Sequence, residues 1–323
     1  MCPGLSDNLQ QVDDARKTAI IDRELAKRNI DIAALQETRL ASSGSLKEKN
    51  YTLFWQGLES DERRLYGVGF AVRNSLLSSV EPPSQGTERI LSLCLTTSSG
   101  PTHIVSVYAP TLCSTSEAKD MFYEELEARI REITANDNLF LLGDFNARVG
   151  ASHTSWPRCL GHFGVGKLNE NGQRLLELCS FYDLAVTNTF CQTKPHHRVS
   201  WRHPRSKHWH QLDLVITRRS MLNHVLCTRS YHSADCDTDH SLVCSMVRLR
   251  TKRIHHSKQK GRTRIDTTRT SKPELRERFT EAIDKILENC PTDSATARWD
   301  FIRDAIHQAA SDTFGKRARK NED

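Results

Sequence analysis

No apolar run in this chain approaches the roughly 20 residues that a membrane-spanning helix needs, so the sequence predicts no membrane span. The stretch Met1 to Asp14 is polar and lacks the apolar centre of a secretory leader. The expectation is therefore a nuclear or cytoplasmic protein, not a secreted one. The 10 cysteines include no C-x-x-C pair. They are scattered singly, as at Cys94, Cys113, Cys159, Cys179 and Cys191, which argues against a disulfide scaffold and against the usual zinc modules. No repeat of solenoid period is present. What remains is a chain of 323 residues, 37% hydrophobic and 27% charged. That is the balance of a globular protein with one large domain or two smaller ones.

The formal net charge is +6, a modest pointer to a polyanionic partner. Its distribution says more. From Arg248 to Lys272 the chain is rich in Lys and Arg, with Asp266 as its lone acid. Such a run is either a solvated tether or an electrostatic arm for nucleic acid.

Periodicity predicts a helix opening at Asp13-Asp14 and running through Ala15, Ala19, Ile20 and Leu25. Short apolar runs predict strands at Ile30 to Leu35, Tyr51 to Trp55, Gly67 to Val72, Ile90 to Leu95, His103 to Tyr108 and Leu139 to Leu142. Further strands are expected at Leu184 to Thr187, Gln211 to Thr217 and Ser241 to Leu249. Helices are expected at Ser116 to Ile133, with Phe122, Leu126 and Ile130 on one face, and at Asn171 to Phe181. The pattern predicts a mixed α/β domain over 1–250, a basic linker over 251–271 and a helical extension over 272–323, with helices at Lys272 to Glu288 and Ala295 to Phe314.

Four apolar runs end in or beside a carboxylate: Leu35-Gln36-Glu37-Thr38, Leu142-Gly143-Asp144-Phe145-Asn146, Leu212-Asp213-Leu214 and Thr238-Asp239-His240. One acid after a strand is ordinarily a turn former or a helix cap. Several converging are costly unless they are paired, protonated or bound to a cation. A hard, oxygen-seeking ion such as Mg²⁺ fits that donor set.

Those blocks, with Val107-Tyr108-Ala109-Pro110 between the first two, resemble in kind and order the endonuclease/exonuclease/phosphatase superfamily. Ala34 to Leu40, Tyr66 to Asn74 and Ser200 to His210 resemble more narrowly the endonuclease domains of non-LTR retrotransposons and their domesticated copies. Phe314 to Asn321 resembles the stretch that leads towards a reverse transcriptase region in full-length relatives. The resemblance implies a four-layered sandwich of two mixed β-sheets flanked by helices. It also implies a Mg²⁺-dependent DNA endonuclease, with Mn²⁺ as an alternative ion, that leaves a 3′-hydroxyl and uses no small-molecule cofactor. Glu37 would be the main metal ligand, with Asp239 helping to shape the metal site. Asp144 would orient or deprotonate the attacking water, aided by Asn146. His240 would bind the scissile phosphate in a tautomer fixed by Asp213, and Tyr108 would hydrogen-bond the phosphate.

Lys194 to His210 interleaves cations with two tryptophans. With Arg39, the residues Arg198, Trp201, Arg202, Arg205, Lys207 and Trp209 are the candidate DNA contacts, the cations neutralising phosphates and the indoles stacking or wedging at bases. Packing of one or both indoles beneath the loop is the structural alternative. Relatives begin with a strand ending in an Asn, whereas Met1 to Ser6 resembles the sequence just after that strand. The alternative to an active nuclease is therefore a truncated, inactive relic or interaction protein of the same fold. An abasic-site nuclease and a phosphoinositide-type phosphatase share the same site residues.

Overall fold

The computed structural model describes residues 17–59, 66–83, 86–233, 238–254, 265–288, 290 and 295–315. The expected helix cap at Asp13-Asp14, the Met1 to Ser6 entry, most of the basic run and the stretch from Lys316 onward lie outside them. The chain divides into two compact units, Met1–Ile254 and His255–Asp323.

The first unit opens with α1 (Lys17–Lys27), β1 (Ile32–Gln36), β2 (Ser43–Lys47), β3 (Tyr51–Gln56) and β4 (Val68–Arg73). It continues through β5 (Val80–Glu81), β6 (Ile90–Thr97), β7 (Gly100–Tyr108), α2 (Ser116–Glu132), β8 (Asn138–Asp144), α3 (Glu170–Phe181) and β9 (Leu184–Val186). It ends with β10 (Trp201–Arg202), β11 (Trp209–His210), β12 (Asp213–Arg218), β13 (Val225–Tyr231) and β14 (Leu242–Val247). One sheet has the order β1-β4-β3-β2 and a larger one the order β5-β6-β7-β8-β12-β9. The larger sheet is mixed: β7 and β8 run parallel, and its other pairs are antiparallel. A parallel pair needs a crossover, and α2 supplies it.

Three apolar layers hold the stack together. Phe70 and Val72 of β4 meet Leu91, Leu93 and Ile104 between the two sheets. On the outer face of the larger sheet, Phe122, Leu126 and Ile130 of α2 and Leu175 of α3 cover Val105, Leu139 and Ile216. On the outer face of the smaller sheet, Ile21 and Leu25 of α1 cover Ala33, Leu35 and Leu53. The result is the four-layered sandwich, helix–sheet–sheet–helix. The helical face expected from Phe122, Leu126 and Ile130 is the buried one. In α1 the buried apolar residues are Ile21 and Leu25, with Ala19 and Ile20 only partly covered. Asp22 is buried beside them because its carboxylate accepts from the Asn50 and Tyr51 amides, both at 2.9 Å.

The second unit holds α4 (Pro273–Leu287) and α5 (Ala295–Phe314). Phe279 and Phe314 pack ring to ring at 5.2 Å, and the Asp266 amide donates to the Gly315 carbonyl.

Candidate active site

Strand pairing brings the acidic strand ends together. Tyr108 on β7 lies in register with Asp144 on β8, and Asp144 in turn with Asp213 on β12. Gln36, at the end of β1, crosses from the other sheet and donates from Nε2 to Ser106 Oγ at 3.3 Å. Gly143 makes that convergence possible. Its φ is +151°, and a Cβ there would lie 1.9 Å from the Val107 carbonyl oxygen. A Gly143→Ala variant is expected to lose about 2 kcal/mol or more of stability, measured as a drop in urea midpoint with an unchanged slope.

Asp144 is 1% exposed. Its Oδ1 accepts from the Asn146 amide at 2.9 Å, while Oδ2 is buried without a partner. Burial, reinforced by the neighbouring Asp213 charge, pushes this carboxyl up to about 7, against the opposing pull of His240. Asp213 behaves the other way. Burial would raise it, but the His240 charge and hydrogen bond outweigh burial and hold it below the usual carboxylate range. His240 Nδ1 lies 2.7 Å from Asp213 Oδ2. An ionised carboxylate only accepts, so Nδ1 carries the proton and Nε2 is the ring atom left over. Nε2 is buried and unpartnered. Burial would lower the imidazole, but Asp213 more than compensates and raises it. The ligand atoms of Asp144, Asp213 and His240 lie within 4.8 Å of one another and could hold a metal ion, whereas the expected ligands Glu37 and Asp239 are not part of that cluster.

Glu37 follows β1 in the left-handed region, at φ 53°. Its Oε1 accepts from the Tyr108 hydroxyl at 2.5 Å, and its Oε2 lies 3.2 Å from Arg39 Nη2. The Tyr108 phenol is raised far above its ordinary range, first by burial and then by that carboxylate, so it remains a donor at any working pH. The hydroxyl expected at a phosphate thus orients Glu37 in this structure. Asn146, also left-handed at φ 47°, donates from its side chain to the Ala109 carbonyl at 2.9 Å. Asp239 is exposed at the rim, where its Oδ2 accepts from the Trp201 indole at 2.8 Å.

The basic segment forms a hairpin, β10 against β11. The Trp201 ring stands 6.1 Å from the His240 ring while its N–H donates to Asp239. Trp209 is 41% exposed. Arg202 approaches its ring at 6.0 Å and donates to the Lys207 carbonyl. Lys207 turns the hairpin at φ 59°, and Arg205 is exposed beside it. Arg198 instead folds back, donating twice to the Thr193 carbonyl and lying over Phe163 at 5.0 Å. It serves the loop's shape rather than its outer surface.

Sequence reading missed the residues that set these positions. Ser200 Oγ accepts from the Leu212 and Asp213 amides, and the Ser241 amide donates to the Ser200 carbonyl, so one serine ties Asp213 to the His240 segment. Asn188 clamps the start of β12, donating to the Asp213 carbonyl and accepting from the Val215 amide. Asn171 donates to the Asn146 carbonyl. Arg89 covers Tyr66 at 4.0 Å and Tyr108 at 5.6 Å. The only signal for these is polar residues placed between apolar strands, which is too common to single any out.

Comparison with known proteins agrees with this geometry. Craniofacial development protein 2 of Bos taurus is 30% identical over 239 residues, covering 74% of this chain and 40% of the relative. The chain thus spans less than half the length of that relative. The catalytic domain of Xenopus laevis APE2 matches in fold at 14% identity and a TM-score of 0.54, covering 74% of this chain and 90% of the other. The endonuclease domain of TRAS1, a telomere-specific non-LTR retrotransposon, matches at 16% identity and a TM-score of 0.49, covering 72% and 93%. The Endonuclease/Exonuclease/phosphatase family profile matches residues 5–258, and the chain belongs to that family.

Proposed function

We propose that this chain is a divalent-metal-dependent phosphodiesterase that nicks DNA and leaves a 3′-hydroxyl, derived from a retrotransposon endonuclease. The observation that carries the reading is a pair of buried, unpartnered polar atoms, Asp144 Oδ2 and His240 Nε2, in one cluster. Buried polar atoms without partners are rare and costly, and here they are a carboxylate base and an imidazole aimed by a second carboxylate.

The donor set fits a hard cation. Glu37 and Asp239 supply carboxylate oxygens, and no thiol is among them. Glu37 is assigned the main share because it is buried and held in place by Tyr108, whereas Asp239 sits at the exposed rim. When bound, Mg²⁺ would supply charge neutralisation at the phosphate oxygens. The protein's own groups do the rest. Asp144, raised to about 7, accepts the proton of the attacking water through Oδ2. Asn146, backed by Asn171, keeps that water aligned. His240 Nε2, protonated while Asp213 holds Nδ1, donates to a phosphate oxygen where negative charge develops. Tyr108 keeps Glu37 in place. The exposed cations Arg202, Arg205 and Lys207 and the half-exposed Trp209 suit a nucleic-acid backbone better than a small headgroup.

The test is conversion of supercoiled plasmid to the open circle. Nicking should need added Mg²⁺, stop with EDTA, and fall about a hundredfold or more in Glu37→Ala. The product ends should accept a polymerase, which requires a 3′-hydroxyl. A folded protein that leaves plasmid intact with Mg²⁺ or Mn²⁺ would sink the nuclease reading and favour an inactive interaction protein of this fold.

A further inference from the structure

The Cys191 sulfur does not lie loose in its loop. It accepts the backbone amide of Thr228 at 3.1 Å. That amide nitrogen is bonded to the carbonyl carbon of Cys227, so two cysteines 36 positions apart in sequence share one spot. Both are thiols and both are partly accessible. A disulfide needs Cα atoms within about 7 Å and compatible Cβ directions, and a sulfur seated 3.1 Å from the amide that follows Cys227 brings the two residues into that neighbourhood. Burial, with a smaller contribution from the neighbouring Cys227 thiol, raises Cys191 above its ordinary range.

The place matters because of what each cysteine is attached to. Cys191 ends the segment whose Asn188 clamps both sides of the start of β12, where Asp213 sits. Cys227 lies on β13, joined to β14 in a two-stranded sheet whose connection carries His240. The segment and β13 also meet through the Thr187 and Thr228 hydroxyls at 2.9 Å, and Thr228 in turn reaches Ser245 of β14 at 2.9 Å.

We propose that Cys191 and Cys227 are an oxidisable pair, a modification site whose disulfide staples the segment supporting Asp213 to the sheet supporting His240. Peroxide serves as the oxidant. One thiolate attacks the O–O bond, giving a sulfenic acid and, after protonation, water. The second thiol then displaces water from that sulfur, forming the S–S bond, so one peroxide is reduced as two thiols are oxidised. Three other cysteines are poorer candidates. Cys159 and Cys179 are buried, and Cys244, opposite Arg229 on β14, is pushed up to about 11 by burial.

The proposal does not depend on the catalytic reading, and neither does its test. The full chain is treated with hydrogen peroxide, quenched, denatured, alkylated and mapped by mass spectrometry. A Cys191–Cys227 linked peptide should appear, vanish with dithiothreitol, and be absent from Cys191→Ser and Cys227→Ser. The oxidised wild type should melt about 5 °C above the reduced form. Cys191→Ser should melt like the reduced wild type and gain nothing from peroxide, which separates the bridge from a simple loss of packing. Alkylation of both cysteines after peroxide, or a Cys227–Cys244 link in place of the expected one, would overturn it.

Discussion

Replacing Asp144 by Asn is expected to cut nicking about a thousandfold and, in EDTA at pH 8, to make the protein more stable. The two results have opposite signs because one physical fact produces both. A carboxyl that is 1% exposed, with one oxygen unpartnered and a second carboxylate next to it, resists ionisation and is held up at about 7. An unfolded aspartate ionises near its ordinary value of 3.8. Between those values the folded state binds more protons than the unfolded one, so stability falls as pH rises across that window. Above about pH 7 the full cost of the buried charge is present, on the order of 2 kcal/mol after allowing for sharing with Asp213 and His240. The amide removes that charge and flattens the decline. Urea melts of both proteins at pH 5 and pH 8 measure it. A variant less stable than the wild type at pH 8 would show that Asp144 is ordinarily solvated and not strained.

The same shift predicts the acid limb of the rate profile. A base must be ionised to take a proton, so nicking should climb tenfold per pH unit below the Asp144 transition and level off above it. A bound cation favours the ionised form and moves that limb to lower pH. The limb should therefore lie more acid at saturating Mg²⁺ than at limiting Mg²⁺.

Much of the site was legible because its residues sit where apolar strands stop. Glu37, Asp144 and Asp213 each end or begin a strand that the hydrophobic pattern marks, and pairing in register then brings Asp144 between Tyr108 and Asp213. The outer helix α2 was legible for the same reason: Phe122, Leu126 and Ile130 carry one face. Strand β2 was not, because Ser43–Lys47 buries nothing and alternates only between exposed and half-covered. Strand β13 was hidden by Arg229 and by the buried polar residues Thr228, whose hydroxyl meets Thr187, and Ser230, whose carbonyl accepts from His197. The positive φ values of Glu37 and Asn146 were equally hidden. They are strained conformations that tertiary contacts impose, and functional sites are where such strain is tolerated. The roles of Tyr108 and Asp239 were legible as membership of a site, but their partners were not. Which hydroxyl meets which carboxylate depends on distances of a few ångströms between strands of different sheets.

Asp213→Asn should separate what the Asp–His pair does for folding from what it does for chemistry. The amide is nearly the same shape, and its carbonyl oxygen can still accept from His240 Nδ1, so the ring stays in place. What disappears is the negative charge. Without it, burial becomes the main influence on His240, opposed only by the smaller effect of Asp144, and its pKa falls. If the protonated Nε2 donates to the phosphate, nicking drops about a hundredfold at neutral pH. The alkaline limb of the rate profile also moves to lower pH, and much activity returns on acidification. The stability signature is distinct. The depressed Asp213 stabilises above its unfolded pKa of 3.8 and the raised His240 below its unfolded pKa of 6.5. The pair therefore contributes fully between those values, is lost as pH falls through the Asp213 transition, and is lost again as pH rises through that of His240. The variant should be destabilised by about 1–3 kcal/mol near pH 5.5 and much less near pH 9. A rate loss that is independent of pH would mean that Asp213 serves only to hold the ring, and that His240 acts as a neutral group.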